Sequence, residues 1–292
     1  MTSPARPKAL GAPVPRRSRA VRRALDRAAL GACVLAALVL VVPVVLLVTH
    51  LLVHGLPMLR PGFFVHMPKP VGELGGGMAN AIVGTLVLIA IASLIAVPVG
   101  IGAGLYLAEY GRGRFAFALR YGTDVLGGVP SIVVGVAAYG LIVVPMGRFS
   151  GIAGGVALAI LMLPMIVRST EEVVRLVPQS YRQAALALGA PQWKVVQQVV
   201  LPAAGRGIAT ACMLSVARAS GETAPLLFTA LGNRFWSLKL DRPIASLPVM
   251  IFDYARSPYP DWNAQAWTGA LVLFGLIATL AGLMRWTTRT MR

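Results

Sequence analysis

Residues 168–202 read RSTEEVVRLVPQSYRQAALALGAPQWKVVQQVVLP, a polar stretch set in an otherwise membrane-like chain. It carries too many charges to lie in lipid and too few breaks for a disordered link. After Pro178, SYRQAALAL favours a short helix, with Ser180 as its expected N-cap and with Ala184, Ala185 and Ala187 leaving a face of small residues. Gly189 permits the left-handed conformation that ends helices, and Pro191 is preset for the first turn of the next. In QWKVVQQVVL, Trp193, Val196 and Val200 recur at spacings of three and four, which is one helical face. Pro202 is expected to bend or restart the chain as it re-enters the membrane. The product is a compact helix–turn–helix at the membrane surface whose small-residue face suits a groove on a partner. The alternative is a solvated hairpin with no partner.

Working outward, the remainder is apolar. The 292 residues are 57% hydrophobic and 13% charged, where a soluble domain carries about 25% charged residues. Six runs approach or exceed the roughly 20 residues that cross hydrocarbon: 25–52, 78–107, 123–145, 151–167, 203–231 and 266–286. The expected architecture is an all-α integral membrane protein of six transmembrane helices with a cytoplasmic loop. The first 24 residues read as a disordered basic tail, 25–77 as the first span and an external loop, 78–286 as a core of five spans, and 287–292 as the C-terminus. The first run exceeds a signal-peptide apolar region and no small-x-small cleavage site follows it, so it is expected to be retained.

The net charge of +17 suggests nucleic acid until its location is examined. With a cytoplasmic N-terminus, the tail, the 108–122 loop, the 168–207 loop and the C-terminus hold 19 Lys and Arg, and the opposite side holds seven. That is the positive-inside signature of a cytoplasmic membrane protein with both termini inside. Cys33 and Cys212 fall in apolar runs and read as small apolar residues rather than a disulfide or metal pair. His50 and His54, four apart near the external end of the first span, could share a metal on a helix, with only His66 and Glu73 as further ligands. They read as interface residues, with no metal and no cofactor expected. Gly100–Gly104 and Gly151–Gly155 have the small-xxx-small spacing that lets helices approach closely.

Ionisable residues inside the spans point to function. Arg218 and Glu222 lie four apart in ACMLSVARASGETAPLLFTAL, where charges are costly and normally face a bundle interior or a watery path. An Arg fork matches phosphate-like oxyanions, and Thr223 adds a hydroxyl. Glu222 would hold Arg218 or keep the anion from sticking, since conduction needs release as well as capture. Pro225 would kink the helix there. The bland alternative is a self-neutralising i,i+4 pair in a continuous helix.

Gln183-Ala184-Ala185-x3-Gly189-x9-Val199-x-Leu201-Pro202 resembles the EAA loop of the permease subunits of bacterial ABC importers, which supplies the coupling helix seated in the ATPase cleft. Gln183 stands where that family has an acidic residue, so a hydrogen bond would replace a salt bridge. The segment 217–230 (ARASGETAPLLFTA), with Leu163–Glu171 and Leu247–Phe252, is similar to the PstA-type permeases of phosphate-specific importers over roughly residues 75–290. The resemblance implies the type I ABC importer permease fold. It also implies a homologous permease (PstC-like), an ATPase dimer (PstB-like) and an extracytoplasmic phosphate-binding protein (PstS-like). Arg218, Glu222 and Arg168 match family positions implicated in translocation. The chain has no G-x-x-x-x-G-K-[ST] phosphate loop, none of its four lysines following a glycine, so ATP hydrolysis would belong to another chain. The expected function is a phosphate permease subunit, not an enzyme. The alternatives are a permease for sulfate or molybdate, or a membrane scaffold.

Overall fold

The computed structural model describes residues 19–73 and 75–290, which are helices and their connections with no strand among them. The expected disordered tail lies, for residues 1–18, outside the described residues, while 19–24 are already helical. Helix α1 is Arg19–Gly55. The chain divides into two units between His50 and Leu51. The first unit's described part is the helix up to His50, which is exposed almost throughout; it opens with the charged residues Arg19 to Arg27 and is apolar all round beyond them, as a lipid-facing helix is.

The second unit opens with a short helix α2 (Pro61–Val65) and then α3 (Ala79–Glu109), α4 (Gly113–Gly128), α5 (Ser131–Met146) and α6 (Gly151–Arg175). Helices α3 and α6 form the central pair. Leu88 meets Gly154, Ile91 meets Gly155, Gly100 meets Ile166 and Gly104 meets Thr170, in the same order along both chains, so the two helices run parallel. Gly100, Gly104 and Gly155 therefore lie on the seam, whereas Gly151 packs against Ile244: a Cβ on Gly100 would sit 2.7 Å from the Ile166 side chain, and one on Gly155 would sit 2.4 Å from Ile91. Around this seam gather Leu88, Ala92, Ala96, Leu158, Met162 and Ile166, all buried.

Two parallel neighbours require the chain between them to cross back once. The run expected as one straight span, 123–145, does not do so as one helix: α4 and α5 meet at a 105° bend. The cause is local. Gly127 and Gly128 weaken the helix, and Pro130 holds Val129 extended (φ −70°, ψ 130°). The expected loop 108–122 is likewise mostly helix, since α4 starts at Gly113 and only Tyr110–Arg112 link it to α3. A tight turn joins α5 to α6, with Gly147 left-handed (φ 65°) and the Ser150 hydroxyl accepting from the Ala153 amide at 3.1 Å.

After α6 come the short helix α7 (Gln179–Ala187), the long helix α8 (Gln192–Ser220), α9 (Ala224–Thr229), α10 (Leu247–Ala255) and α11 (Pro260–Thr290). Helix α8 runs antiparallel to α6, with Gly207 beside Val173 and the Ser215 hydroxyl 3.2 Å from the Met162 carbonyl. Pro202 does not restart the chain, contrary to expectation. A wide π-turn at Val196–Val200 absorbs the missing amide and lets the helix continue, and Tyr139–Val143 does the same ahead of Pro145. The expected span 203–231 is broken at Gly221–Thr223, because Pro225 cannot continue a helix and starts α9 instead. The segment between α9 and α11 is partly folded inward. Ile244 and Leu247 are buried, and the Leu247 amide donates to Thr85 Oγ1 at 2.8 Å. Helix α10 is too short to cross a membrane. Cys33 is exposed, Cys212 is buried and neither is bonded to another cysteine. Among the described residues, five helices are long and apolar enough to span, or six crossings with the bent α4–α5 pair.

Candidate functional site

The α4–α5 bend and the α8–α9 break face each other across α6, and a cavity of about 640 Å³ opens between them. Its charged lining is Asp124 from α4, Arg168 and Glu172 from α6, Arg218 from the last turn of α8, and Glu222 from the break; Thr123, Ser131, Ser169 and Ser215 add hydroxyls. Arg218 and Glu222 are thus brought to one cavity, but not as an i,i+4 pair. The helix ends at Ser220, and no ion pair joins them among the described residues. Thr223 precedes the first turn of α9 and is outside the lining.

Arg168 lies inside α6, which runs two turns further than the expected end at 167. Its Nε donates to Asp124 Oδ1 at 2.6 Å, and its Nη2 donates to the same oxygen. Asp124 was not singled out in the sequence, where it reads as one more charge near a span. The Gly127-Gly128-Val129-Pro130 run beside it marks a helix break and is the signal that could have found it.

The second functional region is the polar stretch itself. Its first eight residues continue α6, and the turn to α7 begins only at Leu176. Pro178, not Ser180, precedes the first turn of α7. The proline sets the extended entry (ψ 139°), which leaves Ser180 one position inside. Gly189 has φ 80° and closes the hairpin, as expected. Gln183 and Ala184 are exposed and Ala185 is half-buried, packed against the core. Leu201 is half-buried and Pro202 is exposed within α8. Val196 and Val200 face the core, but Trp193 is 57% exposed and does not share that face. The π-turn between them shifts the register that an ideal 3.6-residue period predicts. Leu176, Tyr181, Leu186, Leu188 and Trp193 are all exposed around α7, an apolar surface of the kind that marks protein contact.

Beneath that surface lies an anchor that sequence reasoning missed. Arg182 is 9% exposed, its Nη2 donates to Glu109 Oε1 at 2.6 Å and to the Val174 carbonyl at 2.9 Å, and its Nη1 donates to the Val177 carbonyl. One guanidinium therefore ties α7 to the last residue of α3, to the Val174 carbonyl in the last turn of α6 and to the Val177 carbonyl in the turn that follows. Glu171, 3% exposed, accepts from Arg120 Nε at 2.7 Å and Arg175 Nη2 at 2.5 Å beside it. A charge at position 182 in an exposed-looking hairpin carries no sequence sign of burial.

Comparison with known proteins agrees with this geometry. Residues 100–292 match the model of the family described as binding-protein-dependent transport system inner membrane component. The phosphate transport system permease protein PstA of Yersinia pestis is 48% identical over 220 residues, 75% of each chain. That of Haemophilus influenzae is 46% identical over 224 residues, covering 76% of this chain and 79% of the relative. PstA 1 of Mycobacterium tuberculosis is 38% identical over 249 residues, 83% and 81%. Among solved structures, a chain of the inward-facing MetNI methionine ABC transporter superposes with a TM-score of 0.60 at 17% identity, over 74% of this chain and 97% of that one. An amino acid ABC transporter gives 0.52 at 19%, over 71% and 92%. At such identities the two structures speak for the fold alone, the type I ABC importer permease fold. By the family match and the identity to its relatives, this chain belongs to the binding-protein-dependent transport system inner membrane components and, within them, to the PstA phosphate permeases.

Proposed function

We infer that the chain is the membrane-spanning permease subunit of an ATP-driven importer of inorganic phosphate, contributing part of the translocation path and no chemistry of its own. The observation that carries this is the charged cavity lined by α4, α6 and α8 in a chain whose relatives are phosphate permeases. Two guanidiniums, Arg168 and Arg218, line a space large enough for a hydrated oxyanion, and their planar donors match tetrahedral oxygens. Glu222 and Glu172 stand in the same lining, so the anion is not held too tightly to leave. Thr223 stands in the helix break beside it.

The exposed face of α7, with Gln183, Ala184 and the Gly189 turn, together with Leu201 and Pro202 at the start of the buried part of α8, serves as the docking element. Its partner is a separate ATPase subunit, present as a dimer below this chain and a homologous permease. A phosphate-binding protein delivers the anion from outside, the termini lie in the cytoplasm, and the core permease corresponds to residues 78–286. The one-sided Lys and Arg distribution supports that orientation.

Uptake of labelled phosphate, sulfate and molybdate in cells carrying Arg218→Ala tests the path. Losing charge-assisted hydrogen bonds worth about 1.5–3 kcal/mol should lower phosphate uptake about 10- to 100-fold with the protein still in the membrane. Undiminished phosphate uptake would remove Arg218 from the path, and sulfate or molybdate uptake falling in place of phosphate would reassign the substrate. The docking element is tested by Gly189→Pro. Proline cannot reach φ 80°, so the hairpin should open and the ATPase should no longer co-purify with this chain. Full retention of the ATPase would place the docking surface elsewhere.

A further inference from the structure

We propose that Asp124 is a resident counter-anion of the path: it occupies the Arg168 guanidinium while no substrate is there, and the arriving oxyanion exchanges with it. This rests on the reading of the cavity as a phosphate path. Four observations carry it. Asp124 and Arg168 lie on different helices, α4 and α6, yet both line the same cavity. The Arg168 fork donates through two nitrogens to a single carboxylate oxygen, with Nε at 2.6 Å, a contact in which a phosphate oxygen could take the carboxylate's place.

The pair is also wet. The side chains of Arg168 and Asp124 are 46% and 45% exposed, against 11% and 9% for Arg182 and Glu109. An ion pair this open contributes little net stability, so exchanging its anion costs little, whereas the buried Arg182–Glu109 pair could not be opened in this way. Finally, Arg218 on the facing wall has no carboxylate bonded to it among the described residues. An anion can therefore bind Arg218 first and then displace Asp124 from Arg168. When it leaves, Asp124 returns, so Arg168 is not left as an unpaired cation that retains the anion. Asp124 thus acts as an affinity-lowering residue that speeds release.

The test uses the assembled transporter in detergent or vesicles with the phosphate-binding protein omitted, so that delivery does not mask the cavity. Inorganic phosphate is the probe, followed by exchange broadening of its ³¹P resonance, with binding expressed per assembled complex. Asp124→Asn should bind phosphate about two- to fivefold more tightly, the equivalent of removing one exposed ion-pair competitor, and should release it more slowly. In complexes reconstituted with the binding protein, its maximal uptake should fall. Asp124→Glu keeps an exchanging carboxylate and should stay within about twofold of the native chain in both readouts. Unchanged or weaker phosphate binding in Asp124→Asn overturns the exchange, as does Asp124→Glu behaving like Asp124→Asn. Arg218→Ala serves as the separate arm. If it binds phosphate unimpaired, the cavity is not the path and the reading beneath the proposal fails; if it weakens binding while Asp124→Asn does not tighten it, only the exchange fails.

Discussion

Arg182→Ala should uncouple α7 from the bundle and leave a complex that neither holds its ATPase nor transports. Arg182 is nearly fully buried, and its loss leaves the Glu109 carboxylate, 9% exposed, without its 2.6 Å partner. Breaking a buried ion pair by removing one member costs about 3–5 kcal/mol, because the remaining charge stays desolvated. The Val177 carbonyl loses its Arg182 donor as well, adding about 1–3 kcal/mol for a buried acceptor left unsatisfied, whereas the Val174 carbonyl keeps the Val177 amide at 3.2 Å. The total is a large part of the stability of an ordinary domain. The thermal unfolding midpoint of the purified subunit should drop sharply, and ATPase recovery in pull-downs should fall with it. The double change Arg182→Met, Glu109→Leu removes the orphaned charge and should recover much of the midpoint, since apolar replacement of a buried pair is often neutral. A midpoint that stays put in Arg182→Ala would mean that α7 is held by packing alone.

Gly104→Val should be nearly as damaging, by a different mechanism. A Cβ at position 104 would lie 2.6 Å from Thr170 Cβ and 2.7 Å from the Val167 carbonyl. The carbonyl belongs to the α6 helix and cannot move aside without breaking its ladder. Overpacking of this kind costs about 1–3 kcal/mol in a core that can adjust, and more along a seam between two rigid helices. The separation would also open the Glu109–Arg182 anchor just beyond the same end of α3. Gly102 is the internal control: nothing lies within 4 Å of its Cβ position. Gly102→Ala should leave folding unchanged or raise stability by up to about 1 kcal/mol through helix propensity. Membrane-inserted yield and thermal stability of the two variants, measured side by side, check this. Equal behaviour would show that the α3–α6 seam tolerates separation.

Several elements were legible from residues alone because a local rule governs them. The apolar lengths required spans; Gly189 required a left-handed turn, found at φ 80°; the Gly100–Gly104 and Gly151–Gly155 spacings pointed to close helix approach. Places where the sequence misled involve proline in a tertiary setting. Pro202 was expected to bend or restart the chain but was absorbed by a π-turn, whereas Pro225 was expected to kink a helix and ended it outright. Apolar Val199, Val200 and Leu201 precede Pro202, and Gly221, Glu222 and Thr223 precede Pro225. Pro225 is buried against Gly135 of α5, a neighbour that a window of sequence does not contain.

The sequence by itself determined that this is a helical membrane protein with a polar hairpin and with an arginine, Arg218, where lipid forbids idle charge, because hydropathy, length and the cost of burying charge are properties of the chain one residue at a time. Only the tertiary structure decided which charges meet. It placed Asp124 on Arg168, separated Arg218 from Glu222 by ending a helix between them, and buried Arg182 against Glu109 across 73 residues of chain. Such pairings depend on distances between helices, set by the glycine seam of α3 and α6 and by the bend before Pro130.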